Sequence, residues 1–244
     1  MIKELLTLLK MKGALEAIDQ LDSLKERDPF LTALLKAEIE HKEQSANKRR
    51  LWQAKFPTEK EWRDIDRDLN PSIDFSRIEN LNNGLFIQKR ENICLMGQQG
   101  TGKTHSLIAL GRDLCRTGKS VKFYTACSLV NLLEEAKASH TLGKAMQTLA
   151  KPQLLIIDEL GFVPFSENGA RLLFDVFASR YEKGSIGVST NLTFDKWVQV
   201  FGTPELTAAL IDRFTHKCLI FKYEGKSVRF LDAKKRKEAL RIAS

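Results

Sequence analysis

Residues 97–104 read Gly-Gln-Gln-Gly-Thr-Gly-Lys-Thr, and glycines at this spacing before Lys-Thr suit one kind of chemistry, the cradling of a polyphosphate. Phosphate oxygens need backbone N–H groups at close range, which a loop of Gly97, Gln98, Gln99, Gly100, Thr101 and Gly102 can present. Lys103 adds a mobile cation and Thr104 a hydroxyl for Mg²⁺. A helix starting near Lys103 would point the positive end of its dipole at the same anion. Further on, Leu154-Leu155-Ile156-Ile157-Asp158-Glu159 is an apolar run ending in two carboxylates. Asp158 suits the water shell of the Mg²⁺. Glu159 either polarises an attacking water as general base or is a solvated strand end. Ser189-Thr190-Asn191 closes another apolar run, where the Asn191 amide either orients water near a γ-phosphate or begins a turn. Arg213, in Leu210-Ile211-Asp212-Arg213-Phe214, either pairs locally with Asp212 or reaches a neighbouring subunit's nucleotide as an arginine finger. Such a finger is worth about 10³ to 10⁵ in rate. The implied cofactors are ATP and Mg²⁺, with water as the acceptor. A carboxylate directly after the metal aspartate speaks against a small-molecule kinase.

These groups need strands that end together. From residue 92 onward, short apolar runs alternate with helical patterns: Ile93 to Met96, Val121 to Tyr124, Leu154 to Ile157, Ile186 to Ser189 and Cys218 to Phe221. Five strands separated by helices imply a mostly parallel sheet covered on both faces, a three-layer α/β phosphate-loop NTPase with its site at the carboxyl ends of the strands. The two carboxylates close the third strand of the series, an order that fits NTPases with an inserted strand. Before residue 57 the apolar residues Ile2, Leu5, Leu6, Leu9, Leu15, Ile18 and Leu21 recur at helical spacing, and Pro29 marks another helix start. The expected organisation is a small all-α module over 1–60, a polar linker over 61–90, and the ATPase domain over 91–244 with a basic tail.

Composition narrows the field. The net charge of +8 is unevenly spread: residues 1–70 are neutral, while 222–244 hold 8 basic against 3 acidic side chains. Within the neutral segment Lys48, Arg49, Arg50 and Lys55 cluster beside Trp52 and Phe56. Such a cluster reads either as a grip on a nucleic-acid backbone or as a solvated helix face with its aromatics turned inward. Cys94, Cys115, Cys127 and Cys218 form no C-x-x-C pair, which speaks against zinc or a disulfide framework. The histidines do not cluster at metal spacing, and His105 reads as a packed or surface residue. No apolar run approaches the ~18 residues of a membrane span, and the first residues open an amphipathic helix, so a cytoplasmic protein is expected.

The chain resembles the AAA+ ATPases of the helicase-loader clade, and within it the IstB-like transposition-helper ATPases of bacterial insertion sequences. The resemblance is carried by Leu51-Trp52-Gln53-Ala54-Lys55-Phe56-Pro57, Arg90-Glu91-Asn92, the phosphate loop, and Asp158-Glu159-Leu160-Gly161-Phe162-Val163-Pro164. It continues through Arg180 to Ser185, Ser189-Thr190-Asn191, and Val200-Phe201-Gly202 running into Ala208 to Arg213. It implies an ATP-dependent homo-oligomer, ring or helical, that engages duplex DNA and assists a partner transposase. By position it makes Asn191 the first sensor, Arg213 the finger acting in trans and Arg229 a second sensor that contacts nucleotide from its own subunit. The loop departs from the family's Gly-Pro-Pro-Gly in carrying Gln98-Gln99, which removes no ligand group, and Val228 stands where the family shows Tyr. The alternative is a replicative helicase loader of the DnaC type. Lys48-Arg49-Arg50 and Ala54-Lys55-Phe56-Pro57 lean toward the transposition helper.

Overall fold

The computed structural model describes residues 2–18, 27–225 and 227–228. The chain divides into two compact units, residues 1–52 and 53–244. The first is helical, with α1 (Ile2–Leu8), α2 (Lys12–Ala17) and most of α3 (Arg27–Ala54). Leu6, Ala14, Ile18 and Leu34 form its small core. At Gly13 a β-carbon would lie 2.4 Å from the Ala37 carbonyl oxygen, so only glycine lets these two helices approach so closely. Buried Glu38 accepts from the Ala14 N–H at 3.1 Å, satisfying a donor at the start of α2.

The second unit carries α4 (Phe75–Glu79), α5 (Leu85–Gln88), β1 (Asn92–Gly97), α6 (Lys103–Arg116), β2 (Val121–Thr125), α7 (Ala126–Ala138) and α8 (Leu142–Ala150). These are followed by β3 (Leu154–Leu160), α9 (Glu167–Arg180), β4 (Ser185–Thr190), α10 (Val198–Phe201), α11 (Pro204–Thr215) and β5 (Cys218–Tyr223). The strands stand in the order β2-β3-β4-β1-β5, and every pairing is parallel. Parallel strands covered on both faces need apolar side chains on both, hence the unbroken runs in the sequence. Leu155, Ile157, Ile186 and Val188 meet the residues of α7, α9, α10 and α11 in one core. On the other face Leu107 of α6 reaches over Gly187 beside Ile156. The order puts β3, β4 and β1 between the outer strands β2 and β5, so the ends of these three lie side by side.

Two expectations about organisation need correction. The division between units falls after Trp52 rather than near residue 60, and residues 61–90 are folded rather than a linker. Trp62, Ile73, Phe75, Ile78, Phe86 and Ile87 are buried there, the first four each isolated among polar neighbours. Trp62 donates from its indole nitrogen to Asp113 at 3.0 Å, and Glu61 faces Arg112 and Arg116 of α6. The stretch is therefore strapped onto the helix that follows the phosphate loop. Among the described residues no helix is long and apolar enough to cross a membrane.

Candidate functional site

The phosphate loop joins β1 to α6. The first intrahelical bond runs from the Ser106 N–H to the Gly102 carbonyl at 2.9 Å, so the amino end of α6 opens onto the loop. Gly102 caps that helix at φ +101°, and Gly100 sits at φ +78°. Both are left-handed conformations that favour glycine, and at Gly100 a β-carbon would also collide with the Ser227 hydroxyl at 2.1 Å. Thr101 closes the loop by donating to the Gln98 carbonyl at 2.8 Å. The Lys103 ammonium donates to the carbonyls of Gly97 at 2.7 Å and Gln98 at 2.6 Å, which holds the cation beside the cradle.

The carboxylates arrive from β3. Asp158 is 2% exposed and accepts from the Thr104 hydroxyl at 3.0 Å and from the Ser189 hydroxyl by a short bond. Burial raises its pKa, against the lowering by those two hydroxyls. Glu159 has φ +61° and lines the cavity together with Ser189, Thr190 and Asn191. Asn191 lines the cavity, and its side-chain oxygen is buried without a hydrogen-bond partner.

The cavity has a volume of about 480 Å³, suited to a nucleotide. Its polar end is the phosphate loop with Glu159 and Asn191; its other wall comes from residues that sequence reasoning missed. Pro57, Thr58 and Lys60, just before the strapped stretch, and Ile65, Asn70 and Phe75 within it, line the cavity together with Ile108. His105 lines the same cavity, and its Nε2 donates to the Glu61 carbonyl at 2.8 Å, fastening the strap to α6. Burial pushes the His105 pKa down, opposed by the bond to the Glu61 carbonyl, which raises it. The one sequence signal for this wall was Pro57, which marks where α3 cannot continue.

Thr104 and Asp158 offer a hydroxyl and a carboxylate, hard oxygen donors, 3.0 Å apart. Among the described residues no three His, Cys, Asp or Glu side chains gather into a metal cage. Such a sparse oxygen set fits Mg²⁺, which keeps most of its water and binds through one or two protein groups plus phosphates.

Arg213 stands elsewhere. Together with Asn92 and Tyr181 it lines a small cleft at the amino end of β1, whereas the loop follows the carboxyl end of that strand. Its guanidinium lies 5.3 Å above the Phe174 ring. Lys48 and Arg49 are exposed on α3, Arg50 is half-buried, and Lys55 is exposed just beyond it. The aromatics beside them divide: Trp52 is 78% exposed, while Phe56 turns inward against Phe123. Arg229 and the basic tail lie outside the described residues.

A parallel sheet of this order, with a glycine-rich loop after β1 and paired carboxylates ending β3, defines an AAA+-type phosphate-loop NTPase domain. The profile of one such family, described as IstB-like ATP binding protein, matches residues 3–239, and the chain belongs to that family. Its relatives include a protein of Geobacillus stearothermophilus named for ATP binding and insertion sequence IS5376. The two are 36% identical over 209 residues, 86% of this chain and 83% of the relative. A Pseudomonas aeruginosa protein named likewise for insertion sequence IS21 is 34% identical, over 84% of this chain and 78% of its own. Among solved structures, a crystal structure of DnaI superposes with a TM-score of 0.57 at 18% identity, covering 68% of this chain and 91% of that one. At that identity the likeness concerns the fold alone.

Proposed function

We propose that this protein hydrolyses ATP with Mg²⁺ in the cytoplasm, assembles on duplex DNA as a nucleotide-dependent oligomer, and assists the transposase of an insertion sequence. The observation that carries the reading is a division of labour. Lys103, Thr104, Glu159 and Asn191 line one cavity, with Asp158 held against Thr104 behind it, while Arg213 lies outside it. Among the described residues no arginine lines that cavity, which supports a finger supplied by a neighbour.

In this reading the loop N–H groups and the end of α6 bind the phosphates, and Lys103 exchanges its carbonyl partners for phosphate oxygens. Thr104 and Asp158 would hold Mg²⁺, whose chemistry there is to neutralise phosphate charge. Glu159 takes the proton of the attacking water, Asn191 orients that water, and Arg213 of the next subunit neutralises the charge that develops. Arg229 is assigned as the second sensor by resemblance. Nucleotide state then sets the geometry between subunits. An oligomer repeats Lys48, Arg49, Arg50 and Lys55 along a phosphate backbone, so a modest charge per subunit suffices. The insertion-sequence names of the relatives support a transposase as partner.

The test is binding to duplex and single-stranded oligonucleotides of graded length with ATP or ADP and Mg²⁺, with particle mass followed by light scattering. Tight duplex binding that requires ATP, grows with length and yields a large particle is the expected result. Binding confined to single strands, or a small particle without DNA, overturns the reading in favour of a helicase loader.

A further inference from the structure

In a regular strand successive side chains point to opposite faces, so a phosphate site cannot ordinarily be served by two adjacent carboxylates. β3 solves this with a bulge. Ile157 pairs with Val188 and Leu160 with Thr190, so Asp158 and Glu159 together oppose the single residue Ser189. The bulge forces Glu159 into the left-handed region at φ +61°, where a side chain is disfavoured, and takes its N–H out of the ladder. That N–H donates to the Ser189 hydroxyl oxygen at 3.0 Å. A hydroxyl has one proton to give, and here it goes to the Asp158 carboxylate. Ser189 is 2% exposed, so water does not substitute for either partner. The turn is completed by Gly161 at φ +94°, where a β-carbon would strike Leu192 at 2.5 Å.

We propose that Ser189 is a positioning residue that locks this bulge, tying the main chain of the water-activating Glu159 to the side chain of the metal-binding Asp158. One oxygen atom thereby fixes both carboxylates relative to the phosphate loop. The proposal rests on the ATPase reading above and makes a separate claim within it. Loss of the hydroxyl frees the Glu159 N–H and lets the bulge rearrange, which misaims the base while leaving the loop that binds nucleotide intact.

The experiment compares full-length wild type with Ser189→Ala, Ser189→Thr, Ser189→Val, Glu159→Gln and the Glu159→Gln/Ser189→Ala double variant. It measures kcat, ATP affinity and hydrogen exchange of the Glu159 amide in nucleotide-free protein. Ser189→Ala is expected to lower kcat at least about 10-fold, a part of the roughly 10² to 10⁴-fold that a general base contributes because the base is misaimed and not removed, with ATP affinity changed by less than about 3-fold. The Glu159 amide should exchange faster, Ser189→Thr should restore both readouts, and the double variant should be no slower than Glu159→Gln alone. Threonine and valine have nearly the same shape, so their difference isolates the hydroxyl if alanine disturbs the fold. Wild-type turnover with a protected amide in Ser189→Ala, or further slowing in the double variant, overturns the proposal. A wild type that binds ATP but never hydrolyses it defeats the ATPase reading instead, and amide exchange then still decides whether Ser189 locks the bulge.

Discussion

Arg180 is 2% exposed, faces no carboxylate among the described residues, and donates to backbone carbonyls of Leu149 at 2.8 Å, Pro152 at 2.9 Å and Ser185 at 2.9 Å. It thus joins the end of α8 to the entries of β3 and β4, the two strands whose far ends carry Asp158, Glu159 and Asn191. Replacing it with methionine, of similar length, removes these three close charge-assisted bonds and a longer fourth to the Gln153 carbonyl at 3.3 Å; at about 1.5–3 kcal/mol each, the close three alone amount to a loss of roughly 4–9 kcal/mol. Against this, burial drives the guanidinium pKa down to about 10. The charge therefore sits there at a penalty of about 3 kcal/mol, which methionine relieves. The net expectation is a loss of about 1–6 kcal/mol, centred near 4, or roughly 8–16 °C in melting temperature for a unit of this size. Urea unfolding followed by circular dichroism gives the free energy, and ATP affinity of the folded variant should stay near wild type because Arg180 is remote from the loop. A loss below about 0.5 kcal/mol refutes the reasoning, since the carbonyls would then have other partners or the charge no favourable net role. Gly184→Ala should reproduce part of the loss, because a β-carbon there would sit 2.5 Å from the guanidinium.

Two further expectations concern the site. Lys103→Ala should weaken ATP binding by about 10²-fold, or roughly 3 kcal/mol, measured by calorimetry, because it removes a 9%-exposed cation poised at the cradle. Asp158→Asn should raise the melting temperature at neutral pH. The folded-state pKa of Asp158 is raised by burial, so the stability of the protonated form is present below the unfolded value near 3.9 and is lost as pH rises through the folded value. The advantage of asparagine should therefore shrink toward pH 4; an advantage that grows toward acid contradicts the burial argument.

The sheet and the phosphate loop were legible because both rest on local rules. Strands buried on both faces must be continuously apolar, as Leu154 to Ile157 are, and the loop needs its glycines and Lys103 in fixed order. Glu159 and Asn191 followed from their places at strand ends. The wall opposite the loop was not legible. Ile65 and Phe75 reach it, and Trp62 anchors the stretch that carries them, as single apolar residues in polar surroundings, while Asp113, which holds Trp62, and Ile108, which shares the wall, lie far away in sequence. The division of the chain was misplaced for the same reason, since Phe56 and Trp62 belong to the second unit through tertiary contacts that no periodicity announces. His105 read as a bystander because its partner is a backbone carbonyl. The bulge at Asp158-Glu159 depends on the register against β4, which one strand's residues do not specify. Ser189 was noticed only as a neighbour of Asn191.

The central claim, that each site needs the arginine of another subunit, is tested most directly by mixing two inactive variants. Glu159→Gln keeps the arginine but not the base, and Arg213→Ala keeps the base but not the arginine. In an assembled one-to-one mixture roughly a quarter of the interfaces pair an intact site with an intact arginine. ATP hydrolysis by the mixture on duplex DNA, well above that of either variant alone, is the expected result. A mixture as inactive as its components, from proteins that still bind ATP and assemble, contradicts it.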